Sequence, residues 1–223
     1  MGLEAKEPFK FSCRLTLTIM TGHTAKNLEE LLERLRTLPD EVIYHHSYRY
    51  LFNYQHIVPQ PPNDFVAWVT TVLQDEELGE KLLAIDTARF NSIGHLRIAL
   101  VKAVDKHIKA GGFARQAPPG RELHFMQAVR FSLPTPYVAN NLEEFVECLK
   151  KVSASSLYLH IFEAKIRPPL GINDFSHWFE FGLGEKKLAD EVSTLDPYSQ
   201  TMETLRALIV KLAEKRIKEL KHA

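Results

Sequence analysis

At 223 residues, with 45% hydrophobic and 25% charged positions, the chain has an ordinary globular composition and enough length to bury a sizeable core. Its 28 basic side chains balance 28 acidic ones, so no long-range field draws it to a phosphate backbone or an anionic membrane, and nucleic acid is not an expected partner. No run of eighteen apolar residues and no apolar leader is present, which reads as a soluble, cytoplasmic protein.

The chain opens with a strict alternation from Phe11 to Ile19, the period-two signature of a half-buried strand. Phe11, Cys13, Leu15, Leu17 and Ile19 are expected to face the core. A second alternation, Phe125, Gln127, Val129, Phe131 and Leu133, matches the first at a constant offset of 114. Asn27 before Leu28-Glu29-Glu30 reads as an N-cap with a capping-box glutamate, and Asn141 with Glu144 repeats it. Leucines at helical spacing follow in both places. From Phe11 to Phe52 the alignment to Phe125–Ile166 needs no gap, and 11 of 42 positions are identical. The chain is therefore read as two copies of one unit.

Next in each copy comes a Tyr-x-His segment, Tyr44-His45-His46 and Tyr158-Leu159-His160. Aromatic and β-branched residues there favour strand, while Leu157, Ile161 and Ala164 fit a helix, which is the reading taken. Pro-rich loops then lead into Asn63-Asp64-Phe65-x-x-Trp68 and Asn173-Asp174-Phe175-x-x-Trp178, a cap followed by two aromatics on one helical face. Leu78-Gly79-Glu80-Lys81 matches Leu183-Gly184-Glu185-Lys186, the second copy reaching it through a link five residues shorter. A long amphipathic helix closes each copy, with Leu96-Arg97 equivalent to Leu205-Arg206.

Gly111-Gly112 and Pro118-Pro119-Gly120 mark a flexible joint, giving repeat 1 at 8–110, a linker at 111–122 and repeat 2 at 123–220. The expected fold is α+β and mostly helical, two pseudo-symmetric repeats of one strand followed by about five helices. A lone strand leaves its backbone unpaired, so the two strands are expected to share a small central antiparallel sheet, both odd faces buried under helices, in one pseudo-dimeric globule.

Phe11-x-Cys13-Arg14, Asn27-Leu28-x-Glu30-Leu31, the two Tyr-x-His elements, Asn-Asp-Phe-x-x-Trp, Leu-Gly-Glu-Lys and the late Leu-Arg together resemble an uncharacterised prokaryotic domain-of-unknown-function family built as this tandem repeat. The resemblance covers nearly the whole chain and brings no activity or catalytic residue. It implies a setting beside glycosyltransferases of sugar metabolism. Tyr48 and Arg49 stand where the family's first copy carries further histidines, which argues against a His-rich metal site.

Asp64 and Asp174 could be paired catalytic carboxylates, but helix capping explains an Asn-Asp pair before an apolar turn more cheaply. Trp68 and Trp178 read as core anchors before sugar-stacking platforms. Retention in both copies suits a structural task, so Asn63, Asp64, Phe65, Trp68, Asn173, Asp174, Phe175 and Trp178 are taken as structural. The copies differ most around the Tyr-x-His helices, where Tyr44, His45, His46, Arg49, Tyr158, His160, Glu163 and Arg167 are the ligand-binding candidates. No two histidines there share the i,i+4 spacing of metal capture on one helix, and His160 with Glu163 makes only two ligands. No metal or cofactor is expected. Cys13 and Cys148 read as buried free thiols.

Arg49 and Glu163 hold equivalent positions with opposite charge, a possible salt bridge between copies. No nucleophile elbow, phosphate loop, dinucleotide fingerprint or zinc-protease motif occurs. The sequence reads as a non-enzymatic binding or regulatory module for a partner protein or small metabolite. The alternative is an enzyme or accessory factor of carbohydrate metabolism with its site between the Tyr-x-His helices.

Overall fold

Two long strands, β1 (Glu4–Ala25) and β2 (Leu123–Asn141), pair as a two-stranded antiparallel sheet in a computed structural model that describes residues 4–53, 63–112, 115–166, 171–195 and 200–222. Within these, residues 49–53 and 88 are described in backbone only. The chain is α+β, and it divides into two compact units, one of them discontinuous in sequence. One unit is Thr16–Val129; the other joins Met1–Leu15 to Arg130–Ala223. Each unit therefore owns part of both strands.

In the 16–129 unit, α1 (Leu28–Thr37) begins at Asn27, whose side chain accepts the Glu30 N–H at 2.9 Å, while Glu30 accepts the Lys26 N–H at 2.8 Å. The reciprocal pair satisfies two otherwise orphaned amides. Leu28, Leu31, Leu32 and Leu35 are buried. At the far end of α1 the Arg97 guanidinium donates to Leu35 O at 2.6 Å and to Asp40 at 2.7 Å. Then come α2 (Asp40–Asn53), α3 (Asp64–Thr71), α4 (Glu76–Leu83) and α5 (Ile93–Lys109). Buried Asp75 caps α4 through Leu78 N–H at 3.0 Å and accepts from His107 Nε2–H at 2.7 Å, tying α4 to the last turn of α5. The linker's residues 115–122 belong to this unit: Ala117 N–H donates to Lys26 O at 2.7 Å and Trp68 Nε1–H to Arg121 O at 2.9 Å.

The other unit contains α6 (Leu142–Leu149), α7 (Ala154–Tyr158) with a π-helical continuation over Leu159–Glu163, α8 (Asp174–His177) with a second π-helical continuation over Trp178–Gly182, α9 (Lys186–Ser193) and α10 (Met202–His222). Asn141 caps α6 at 2.9 Å, and Glu144 accepts the Asn140 N–H, which holds its carboxyl below the usual range. The core is a cluster of rings in which Phe145 meets Phe11, Phe175, Trp178 and Phe179 at centroid distances of 4.9–5.5 Å, Phe9 also lying 5.8 Å away. Buried Glu185 pairs with Arg216 at 2.5 Å, the place that Asp75 and His107 fill in the other unit.

Three expectations need correction. The strands are not buried along their odd faces: Phe11 and Phe125 are, but Leu15, Leu17 and Ile19 are 43%, 49% and 49% exposed, and Phe131 and Leu133 are 44% and 42% exposed. The ribbon is longer than the helices of either unit cover, so alternation marks which residues share a face without guaranteeing a cover. Cys13 and Cys148 are free but only half-buried, and partial burial pushes the Cys148 thiol up.

The Leu-Gly-Glu-Lys match is also out of register. Glu185 N–H donates to Phe179 O and Leu183 N–H to Trp178 O, as Asp75 N–H does to Val69 O and Leu73 N–H to Trp68 O. Leu183-Gly184-Glu185 thus does the work of Leu73-Gln74-Asp75, with no five-residue deletion. The two glycines have separate reasons: a Cβ on Gly79 would run into the Thr70 methyl group, whereas Gly184 sits at φ +74°.

Candidate functional site

Each Tyr-x-His segment is helical, and each histidine bridges a carboxylate to a strand. In the 16–129 unit, His46 on α2 has Nδ1 2.7 Å from Asp64 Oδ2, in the first turn of α3, and Nε2 accepts the Met126 N–H of β2 at 2.9 Å. Phe65 and Phe125 pack beside the ring at 5.5 and 5.7 Å. In the other unit His160 has Nδ1 2.8 Å from Asp174 Oδ2, and Nε2 accepts the Ser12 N–H of β1 at 3.0 Å. Phe9 and Phe175 pack there at 5.0 and 5.5 Å.

The donor pattern settles the tautomer. A backbone N–H can only donate, so Nε2 must present its lone pair, and the single proton of a neutral imidazole lies on Nδ1, donated to the aspartate. Neither ring nitrogen is left over for proton transfer or for a ligand. Within each Asn-Asp pair the asparagine caps the helix, Asn63 Oδ1 accepting Val66 N–H at 2.9 Å and Asn173 Oδ1 accepting Ser176 N–H at 2.8 Å, while the aspartate carboxylate meets the histidine. Trp178 is buried and its Nε1–H donates to Glu7 O of β1 at 2.8 Å, as Trp68 donates to Arg121 O just ahead of β2.

The π-helical turn after α7 aims two side chains at one strand. His160 reaches Ser12, and Glu163, three residues on, takes Arg14 Nε–H at 2.8 Å, with the two side chains only 9% and 7% exposed. The Arg14 guanidinium lies 4.7 Å from the centroid of the Tyr158 ring, which itself stacks on Phe162 at 4.8 Å. Ser155 Oγ accepts the Arg14 N–H at 3.1 Å and donates to Arg14 O at 2.7 Å. Glu163 therefore pairs with Arg14; the side chain of Arg49, its expected partner, and all of Arg167 lie outside the described residues. Tyr44 is buried and stacks on Tyr48 at 5.7 Å, and Tyr48 donates to Thr87 O at 3.0 Å.

His45, His46 and Asp64, all buried, bring ligand-type atoms within 4.8 Å of one another, a grouping that could hold a metal ion. The tautomer argues against it: the only lone pair on His46 points at Met126 N–H, and its other nitrogen carries the proton given to Asp64. Leu159 occupies the matching place beside His160, where the same histidine-aspartate tie forms without a second imidazole.

Sequence reading treated the histidines and aspartates as separate candidates and missed their pairing. It gave Arg14 no role beyond the resemblance and passed over Ser12, Ser155 and Met126, because nothing in a strand's own pattern announces which helix will cap its edge. The signal available was co-retention of Tyr-x-His and Asn-Asp-Phe in both copies. Replacing His160 by leucine is expected to cost about 1–3 kcal/mol, since Ser12 N–H and Asp174 both lose their partner, whereas Asp174→Asn, which keeps an acceptor, should cost less. Urea unfolding of both variants checks the order.

No curated protein matches the chain. A solved structure described as "The structure of OrfY from Thermoproteus tenax" is similar at 28% identity and a TM-score of 0.80, with 95% of this chain and 96% of that chain covered. Residues 6–214 match the model of a family of unknown function, DUF5752. A match that runs from β1 almost to the end of α10 takes in both histidine-aspartate ties, and the chain belongs to the DUF5752 family.

Proposed function

We propose that this chain is a non-enzymatic binding or regulatory module that engages a partner protein, built from two pseudo-symmetric copies of one strand-plus-helices unit. The recurrence of aspartate, histidine and strand N–H in both units supports the copies. The observation that carries the function is the contrast between interior and ribbon. The polar aromatics suspected of lining a ligand pocket, Tyr44, His46, Tyr158 and His160, are buried and packed. Meanwhile Leu17 and Ile19 in the one unit, and Phe131 and Leu133 in the other, stand exposed on alternate strand positions, where residues two apart share a face.

An apolar strand face left open to water costs about 25 cal/mol per Å² and marks a surface that another chain covers. A quadruple variant, Leu17→Ser, Ile19→Ser, Phe131→Ser and Leu133→Ser, tests this. It should melt within about 3 °C of the parent, because exposed substitutions change stability little. In its native cells the parent should elute with a stoichiometric protein partner and the variant alone. A parent that elutes unaccompanied, or a variant that keeps its partner, would refute the reading.

A further inference from the structure

On the 16–129 unit, α1 and α5 border an open groove of about 420 Å³ lined by Arg36, Arg97, Ile98, Val101, Lys102 and Asp105. The opposite face of α5, with Ile93, Leu96, Leu100 and Val104, is already buried, so nothing in the fold of this unit requires an isoleucine at 98. Ile98 is 62% exposed.

The polar rim divides into scaffold and remainder. Arg97 is spent on Leu35 O and Asp40, and Arg36 lies 2.9 Å from Asp105. The other unit builds the same scaffold: Arg206 donates to Val152 O at 2.8 Å, and Lys150 lies 2.9 Å from Glu214. There, however, Ala207 stands where Ile98 would be. The isoleucine is thus an addition to a framework that works without it. Lys102 has no side-chain partner among the described residues, and Arg36 is half exposed on its bridge to Asp105, so the rim around the aliphatic floor has positive charge to offer.

We propose that this groove docks an amphipathic helical segment of a partner protein, aliphatic where it meets Ile98 and Val101 and acidic where it meets Lys102 and Arg36. A helix laid in a groove presents side chains at i, i+3 and i+4, which suits an aliphatic floor with a cationic border. Complementary charge sets orientation and speeds encounter, and the buried aliphatic contact holds the complex.

The test uses the full chain and three fluorescent helical peptides: leucines on one face flanked by glutamates, the same leucines flanked by lysines, and the glutamate peptide with alanines for leucines. Anisotropy should show binding of the first alone, weakening with added salt. Ile98→Asp and Lys102→Glu should each reduce that affinity about tenfold or more, at an unchanged melting temperature. The ribbon variant should bind as the parent does, so failure here is separable from failure of the ribbon reading. Equal binding of the lysine or alanine peptide, unaltered binding by the two groove variants, no binding of any peptide, or capture by anionic phosphatidylglycerol vesicles in place of the peptide would each overturn the proposal.

Discussion

Arg14→Leu is expected to destabilise the protein by about 3–5 kcal/mol, because it strips the guanidinium from a glutamate that remains buried. The pair sits under the Tyr158 ring, with both side chains below a tenth exposed. Solvent therefore offers Glu163 little replacement for the lost charge. The double variant Arg14→Leu, Glu163→Leu should recover most of the loss, since exchanging a whole buried ion pair for packed aliphatics is often neutral. Urea midpoints at constant slope measure both. A double variant as unstable as the single one would mean that the strand position, and not the uncompensated charge, dominates.

Phe145→Ala should be equally severe, about 3–5 kcal/mol, because the alanine leaves a cavity where five aromatic rings converge. For a chain of this length that corresponds to a fall in melting temperature of roughly 6–20 °C. Phe145→Leu should cost well under half as much. Leu31 holds the same place in α1, 114 residues earlier, fully buried on the face that packs its own unit. A leucine variant as damaging as the alanine one would show that the ring contacts, not the filled volume, supply the stability.

Much of the fold was legible because local signals and tertiary demands agree. Asn27, Asn63, Asn141 and Asn173 each announced a helix start, and each caps one. The strands were legible as strands, but β1 runs on to Ala25 and β2 through Pro134 and Pro136, past the end of the alternation. Prolines two apart are tolerated where missing N–H groups face a free edge. What the strands pack against was not legible, since Leu17 and Phe11 look alike in a period-two pattern and differ only in cover.

The candidate site was half legible. The Tyr-x-His elements were singled out as ligand-binding candidates and the Asn-Asp-Phe elements as structural, yet the pairing of His160 with Asp174 and Ser12 spans 14 and 148 positions. No spacing rule links such residues. Repetition can mislead as well as inform: Leu-Gly-Glu-Lys matched by letters, while the hydrogen bonds of Asp75 and Glu185 fix a different register.

The exchange of strand segments between the two units has a consequence for biosynthesis. The segment that ends at Leu15 leaves the ribosome well before Arg130–Ala223, whose helices bury Phe9 and Phe11. At about 5–20 residues per second, the leading strand waits on the order of ten seconds before its own core is synthesised. A nascent chain stalled at residue 122 should accordingly leave Phe9 and Phe11 open to chaperones and proteases, and protection of that strand should arise only once α8 has emerged.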